Sequence, residues 1–96
     1  MAAYIIVEME VTDPVGILEY RKLAEASVAA CGGRFLVRGG RTEALEGGWE
    51  PKRIVVLEFP TVSRAKEWWS SKEYAKARVI RERTARTRMI LAEGTA

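Results

Sequence analysis

Apolar and polar residues alternate along the first stretch of the chain. In residues 4–11 every second residue is apolar, and Glu8 and Glu10 fall between them. Because successive side chains of a strand point to opposite faces, this period of two predicts a strand with one face in a core. The same pattern, enriched in β-branched residues, predicts a second strand over residues 52–59, which Pro60 ends.

A period of three and four replaces the alternation in residues 14–31. Asp13 offers an N-cap oxygen, and Pro14 has the backbone angle that suits the first helical position. Apolar residues recur on one face of this predicted helix at Ile17, Tyr20, Ala24, Val28 and Cys31. We expect Gly32 or Gly33 to end the helix in the left-handed conformation.

A second helical region follows the strand at 52–59. Thr61 is the predicted N-cap, and Ser70 stands three residues before Glu73, the spacing of a capping box. The sequence therefore predicts a break near Ser70 and a second helical segment that reaches about Ala85. Residues 87–93 are predicted to form the last strand.

Two glycine pairs bound the short stretch between the halves of the chain. Residues 34–38 alternate, with basic residues and one leucine on one face, at Arg34, Leu36 and Arg38. Phe35 and Val37 fall on the other face. Glycines 39 and 40 predict a bulge or kink, and residues 41–46 predict a second short extended piece.

The predicted order is strand, helix, strand, strand, helix, strand. This order is typical of the α+β ferredoxin-like fold, and we expect residues 1–96 to form a single domain of this kind. Its four antiparallel strands would lie in the order 4-1-3-2, with both helices on one face.

The face of that sheet away from the helices would carry large apolar residues, namely Tyr4, Ile6, Leu36, Ile54 and Val56. Nothing else in the chain is predicted to cover them. A patch of this kind usually marks a partner surface, so we expect a homodimer through the sheet face. The alternative is a sheet face that is simply half-solvated.

The chain has no histidine and one cysteine, Cys31. This composition excludes the usual zinc sites, haem ligation by a histidine of the protein, and nucleophile systems that need a histidine base. We therefore expect no metal and no cofactor. Any catalysis must rest on carboxylate, tyrosine, arginine or lysine side chains.

The net charge of +3 is unevenly distributed. Residues 64–88 carry nine lysines and arginines against three glutamates, a local charge of +6. No nucleic-acid-binding motif accompanies this charge, so we interpret it as a solvated helix surface and expect no specific nucleic acid. No apolar run is long enough to span a membrane, which favours a cytoplasmic protein.

Two groups of residues are candidates for a site. The strand order would place Glu58 between Glu8 and Arg38 on the uncovered face, as an acid/base pair with an anion clamp or as a cross-strand ion pair with a spare acid. Arg38 and Glu58 are thus the candidate catalytic residues, and Arg38 the candidate anion ligand. Tyr20, Trp68 and Tyr74 would be the walls of a ligand pocket, or simply core aromatics.

Several segments together resemble the domain of unknown function 1330 family. They are the block Gly-Gly-Arg-Phe-Leu-Val-Arg-Gly-Gly at 32–40, Leu-Glu-Gly at 45–47 with Trp49 and Pro51, residues 55–60, and Ser-Ser-Lys-Glu-Tyr at 70–74. The chain departs from the common pattern at Cys31, at Lys72 and in the basic residues 83–88.

The resemblance implies a dimeric α/β barrel, in which two ferredoxin-like protomers pack sheet to sheet. That superfamily includes cofactor-free monooxygenases, isomerases of small ring compounds and haem peroxidases. Two functions stay open: a small-molecule-binding protein or cofactor-independent enzyme acting on a small anionic or aromatic compound, and a non-catalytic dimeric accessory module.

Overall fold

The computed structural model describes residues 1–95 and contains four strands and three helices. In chain order they are β1 (Ala3–Val11), α1 (Ile17–Ala30), β2 (Arg34–Arg38), β3 (Ile54–Phe59), α2 (Val62–Ser70), α3 (Lys72–Thr84) and β4 (Ala85–Glu93). Among the described residues, no helix is both long enough and apolar enough to cross a bilayer.

The strands form an antiparallel sheet in the order β2-β3-β1-β4. This is the predicted ferredoxin-like order, so the α+β fold expected from the sequence is confirmed. In the centre of the sheet Ile6 lies opposite Val56 on one side and Ile90 on the other. Because neighbouring positions alternate between faces, Ile5 and Val7 point the other way, toward the helices.

The core lies between the helices and one face of the sheet. Its largest fully buried side chains are Trp68, Tyr74, Phe59, Ile17, Val28 and Ser27. The indole nitrogen of Trp68 donates a hydrogen bond of 3.0 Å to the hydroxyl of Ser27. This bond joins α2 to α1 inside the core.

The other face is called here the open face, and it carries Tyr4, Ile6, Val37, Ile54, Val56 and Ile90. The three helices all lie against the opposite face, so none covers these residues. Ile90 keeps 61% of its surface exposed. The apolar face expected from the sequence is therefore present, and two of its residues, Ile6 and Ile54, line a groove together with the loop at 42–51.

The helix starts differ from the predictions by one to three residues. Asp13 does accept hydrogen bonds from the backbone of Val15 and Gly16, but these close a turn, and α1 begins only at Ile17. Between α2 and α3 the cap is Ser71, whose hydroxyl accepts from the backbone of Tyr74. The predicted cap Ser70 was wrong by one residue.

The predictions at the other two helix ends are confirmed. The hydroxyl of Thr61 accepts a hydrogen bond from the backbone of Arg64, as expected for the N-cap of α2. At the end of α1, Gly32 has φ 76°, and the next amide, that of Gly33, bonds back to Val28. Glycine adopts this left-handed conformation without steric cost.

The strand β2 departs most from its prediction. Phe35 lies opposite Leu57, but Val37 lies opposite Val56, so Leu36 is an extra residue in a β-bulge. The bulge was expected at glycines 39 and 40, but it lies within β2, at Leu36. The predicted extended piece at 41–46 is also wrong, because these residues have no regular secondary structure.

Candidate functional site

A cavity of about 40 Å³ lies between α1 and the helix-facing side of the sheet. Its lining combines apolar side chains from all four strands, two aromatic residues from the helices and three arginines. The lining residues are Val7, Met9, Tyr20, Arg21, Ala24, Val28, Phe35, Arg38, Arg53, Val55, Leu57, Trp68 and Met89. A buried water needs about 10–15 Å³ by this measure, so the cavity has room for roughly three or four small groups.

Two of the three predicted aromatic walls line this cavity. Tyr20 projects from α1 and Trp68 from α2. Tyr74 stands behind them: its ring centre is 4.1 Å from that of Trp68, and its hydroxyl is 3.1 Å from that of Tyr20. These aromatics are part of the core and, for Tyr20 and Trp68, part of the cavity wall as well.

A chain of polar groups leads from Tyr20 into the protein. The hydroxyl of Tyr74 meets that of Tyr20 and also accepts a hydrogen bond of 3.3 Å from Nη1 of Arg81. Burial, together with the neighbouring Tyr74, raises the pKa of Tyr20 far above its ordinary value. Tyr20 is therefore a neutral hydroxyl at neutral pH.

Three arginines, here called the arginine cluster, line the cavity: Arg21, Arg38 and Arg53. Burial lowers the pKa of Arg53, and the like charges of Arg21 and Arg38 lower it further. Arg38 has one acidic neighbour, Glu25, at 3.1 Å. Among residues 1–95, Arg21 and Arg53 form no ion pair, so the cluster is positive in excess.

Arg38 also contacts the apolar lining. Its guanidinium carbon lies 4.2 Å from the ring centre of Phe35, a cation–π geometry. Glu25, the acid that it meets, is 65% exposed, and an ion pair so open to water contributes little stability. Arg38 is therefore free to exchange this partner for another anion.

The structure separates Arg38 from Glu58. The bulge at Leu36 shifts the register by one residue, so Arg38 lies opposite Val55 on the helix-facing side. Glu58 stays on the open face, where Nε of Arg34 donates to it at 2.7 Å. The expectation that Arg38 shares a face with Glu58 was wrong, because the bulge turns Arg38 to the other side of the sheet.

Glu58 belongs to a set of ion pairs on the open face. Hydrogen bonds from Arg34 and Tyr4 lower the pKa of Glu58. On the other side of the apolar centre, Glu8 pairs with Arg88, and this bond lowers the pKa of Glu8. A third pair joins Glu10 to Arg86 at 3.8 Å. These are cross-strand ion pairs, but they differ from the pair considered from the sequence, because Glu58 pairs with Arg34 and Glu8 is not a spare acid.

Arg21 and Arg53 were not predicted as site residues. Arg21 follows Tyr20 on α1, beside the apolar face, where a long side chain can still reach the cavity rim. For Arg53 a signal was available, because it precedes Val55 by two residues and so shares the helix-facing side of β3. The alternation that located the core also located this arginine.

The polar groups of the cavity lining are hydrogen-bond donors rather than bases. The lining contains arginines and one tyrosine, but no carboxylate and no cysteine. Within the described part of the chain, no three acidic or cysteine side chains gather closely enough to hold a metal ion. The arrangement can bind an anion and can stabilise negative charge that develops on it.

Several solved structures share this fold at low sequence identity. A protein of unknown function from Rhodopseudomonas palustris has a TM-score of 0.78 and 15% identity, over 99% of this chain and 83% of that one. A dimeric ferredoxin-like protein of unknown function from Jannaschia sp. CCS1 has a TM-score of 0.75 and 15% identity, over 98% of this chain and 100% of that one.

A third similar structure has an activity in its description. SnoaB, a cofactor-independent oxygenase from Streptomyces nogalater, has a TM-score of 0.68 and 9% identity, over 99% of this chain and 94% of that one. At such identities the similarity concerns the fold alone. No curated protein matches the sequence.

The sequence itself assigns the family. The pattern of the domain of unknown function DUF1330 matches residues 2–95, nearly the whole chain, as the segments at 32–40, 45–51, 55–60 and 70–74 indicated. The chain belongs to this family, the domain of unknown function DUF1330.

Proposed function

We propose that this protein binds a small organic acid whose apolar part occupies the cavity under α1. The observation that carries the proposal is the arginine cluster at an otherwise apolar cavity, with Arg21 and Arg53 unpaired among residues 1–95. A carboxylate there would offset the burial of Arg53 and its repulsion from Arg21 and Arg38, which together lower the pKa of Arg53. Arginine suits this role because its planar fork can donate two parallel hydrogen bonds to one carboxylate.

The size of the cavity limits the apolar part of the acid. With room for roughly three or four small groups, it fits a short branched chain better than a fused ring system. The side chains that would contact this part are Phe35, Trp68 and Met89, which offer only apolar surface there. The acid is thus expected to combine a carboxylate at the arginine cluster with a compact hydrocarbon body.

A second candidate function is catalysis without a cofactor. Arginine and tyrosine donors at a largely apolar cavity could stabilise an enolate formed from the bound acid. One similar fold, SnoaB, is described as a cofactor-independent oxygenase, which supports this candidate at the level of the fold only. Simple binding agrees better with the lining, because it holds no general base, and Glu58 lies on the other face.

We also infer that a second copy of the chain covers the open face. The apolar centre of this face lies between ion pairs that include Arg34 with Glu58 and Arg88 with Glu8. In a twofold dimer closed through this face, the apolar centre of one protomer would pack against the apolar centre of the other. The Jannaschia relative is described as dimeric, which supports a homodimer here. A non-catalytic dimeric accessory module would need only this interface.

The binding proposal is tested by calorimetry with 4-methylpentanoate and its neutral amide. The acid should bind and the amide should not, because only the acid is attracted by the arginine cluster. Arg53→Met should lower the affinity for the acid by about tenfold to a hundredfold, which corresponds to the loss of one charged hydrogen bond. The matched control is Arg86→Met, which removes an exposed arginine of the open face and should leave the affinity unchanged.

Two results would contradict the proposal. One is an amide that binds as tightly as the acid, since the cavity would then recognise shape and not charge. The other is the absence of binding for 4-methylpentanoate and for shorter and longer branched acids alike. That second result would favour the non-catalytic module.

A further inference from the structure

The buried hydroxyl pair of Tyr20 and Tyr74 has one hydrogen more than it can use. The two oxygens are 3.1 Å apart, so one hydroxyl donates to the other. Arg81 supplies a further hydrogen from Nη1 to Tyr74. Among residues 1–95, neither hydroxyl meets another acceptor. The hydrogen of one tyrosine therefore has no partner in the described protein.

The surroundings decide which tyrosine holds the spare hydrogen. If Tyr20 donated to Tyr74, the hydrogen of Tyr74 would be left unpaired at a fully buried position, which is unfavourable. If Tyr74 donates to Tyr20, the spare hydrogen belongs to a residue that lines the cavity. Arg81 also favours the second arrangement, because its positive charge near the oxygen of Tyr74 strengthens Tyr74 as a donor.

Hydrogen-bond donors outnumber acceptors around the hydroxyl pair of Tyr20 and Tyr74. Nε of Arg81 is buried and has no hydrogen-bond partner among the described residues. The aromatic walls around the hydroxyl pair, such as Trp68, provide no oxygen that could accept. An additional acceptor is therefore needed beside Tyr20, and the cavity is the space next to it.

We propose that the Tyr20 hydroxyl donates a hydrogen bond to a second oxygen of the bound acid, so that the ligand is a short oxo acid. This inference rests on the proposed binding of an acid by the arginine cluster. It adds a specificity-determining residue, Tyr20, and narrows the ligand class to acids with a carbonyl oxygen on the compact apolar body.

The inference also assigns a supporting role to Tyr74. Tyr74 positions the Tyr20 hydroxyl by donating to its oxygen, and it receives in turn the hydrogen of Arg81. Because burial raises the pKa of Tyr20, its hydroxyl stays a donor from mildly acidic to mildly alkaline pH. The preference for an oxo acid should accordingly not change between pH 6 and 9.

The experiment compares 4-oxopentanoate with 4-methylpentanoate. The two acids have nearly equal length and shape, and the carbonyl oxygen of the first takes the place of a methyl group of the second. Calorimetry of the wild-type protein should show tighter binding of 4-oxopentanoate by about fivefold to tenfold, the net value of one hydrogen bond. Tyr20→Phe should abolish this preference, so that the two acids bind with equal affinity.

Two further variants separate this inference from the proposed function. Tyr74→Phe removes the donor that positions the Tyr20 hydroxyl and should reduce the preference, whereas Arg53→Met should weaken the binding of both acids equally. Equal binding of the two acids by the wild-type protein would overturn the oxo-acid inference and leave the proposed function standing. Binding of neither acid would overturn both. A preference that persists in Tyr20→Phe would also overturn the role of Tyr20.

Discussion

The indole nitrogen of Trp68 donates to the hydroxyl of Ser27 across 3.0 Å of fully buried core. Ser27 in turn donates to the backbone oxygen of Ala24, so its hydroxyl donates one hydrogen bond and accepts another. The tryptophan thereby has a partner for its only polar group. The same tryptophan is a wall of the cavity, so this bond also fixes the shape of the candidate site.

Ser27→Ala should destabilise the protein by about 1–3 kcal/mol, because the buried indole N–H then has no acceptor. Urea unfolding monitored by tryptophan fluorescence measures the loss. The control is Ser70→Ala, which removes an exposed hydroxyl bonded to the backbone of Lys66 and should change stability by less than about 0.5 kcal/mol. Equal effects of the two substitutions would show that the Trp68 bond contributes nothing.

Gly33→Ala should destabilise the protein because α1 and β3 approach closely there. A Cβ atom at Gly33 would lie 2.5 Å from the ring of Phe59, which is itself fully buried and packed 5.5 Å from the ring of Trp68. The expected loss is about 1–3 kcal/mol, the usual cost of overpacking.

Gly40→Ala is the matched control for this substitution. A Cβ atom at Gly40 would meet nothing within 4 Å, and the backbone there is not left-handed. Thermal unfolding of both variants should show a lowered midpoint for Gly33→Ala alone. A stable Gly33→Ala protein would mean that Phe59 has room to move.

The sequence predicted the fold well wherever one face of an element is buried. The alternation in β1 is unambiguous, because a slip by one residue would expose Val7 and bury Glu8. In β2 the pattern carries less information, since Leu36 and Val37 are both apolar and either could face the open side. The bulge between Phe35 and Val37 therefore could not be predicted from the sequence pattern, and Arg38 was assigned to the wrong face.

The candidate site was predicted only in part for the same reason. Tyr20 and Trp68 were identified because they belong to the apolar faces of helices. Arg21 was missed because a charged residue beside an apolar stripe has the same appearance whether its side chain turns to water or to a cavity. For Arg53 the alternation predicts the side of the sheet, but it does not show that a cavity lies there. Only the three-dimensional structure distinguishes these cases.

The ion pair of Glu58 with Arg34 should make stability depend on pH in the acid range. The hydrogen bond from Arg34 lowers the pKa of Glu58 below its ordinary value of 4.5, and the bond from Tyr4 adds to this. A carboxyl group with a lowered pKa in the folded state stabilises the fold above its ordinary pKa. That contribution is lost as the pH falls from 4.5 through the lower folded value.

Glu58→Gln tests this dependence, because it removes the titration and keeps the shape. Between pH 6 and 3 the free energy of unfolding should fall less steeply in Glu58→Gln than in the wild type. Arg34→Met should show the same reduced slope, since it removes the main cause of the lowered pKa. Identical slopes in all three proteins would show that the pair has no influence on stability.

Ile90→Glu should dissociate the proposed homodimer. Ile90 lies on the open face opposite Ile6 and is 61% exposed in the single protomer. A charge there would therefore be harmless in a monomer but would be unpaired and buried in a dimer closed through this face, at a cost of several kcal/mol.

Val79→Glu on α3 is the matched control, because Val79 is 56% exposed and lies away from the sheet. Sedimentation at micromolar concentration should give a dimer for the wild type and for Val79→Glu, and a monomer that is still folded for Ile90→Glu. A dimer that survives Ile90→Glu would place the interface elsewhere, and a monomeric wild type would mean that the open face is half-solvated.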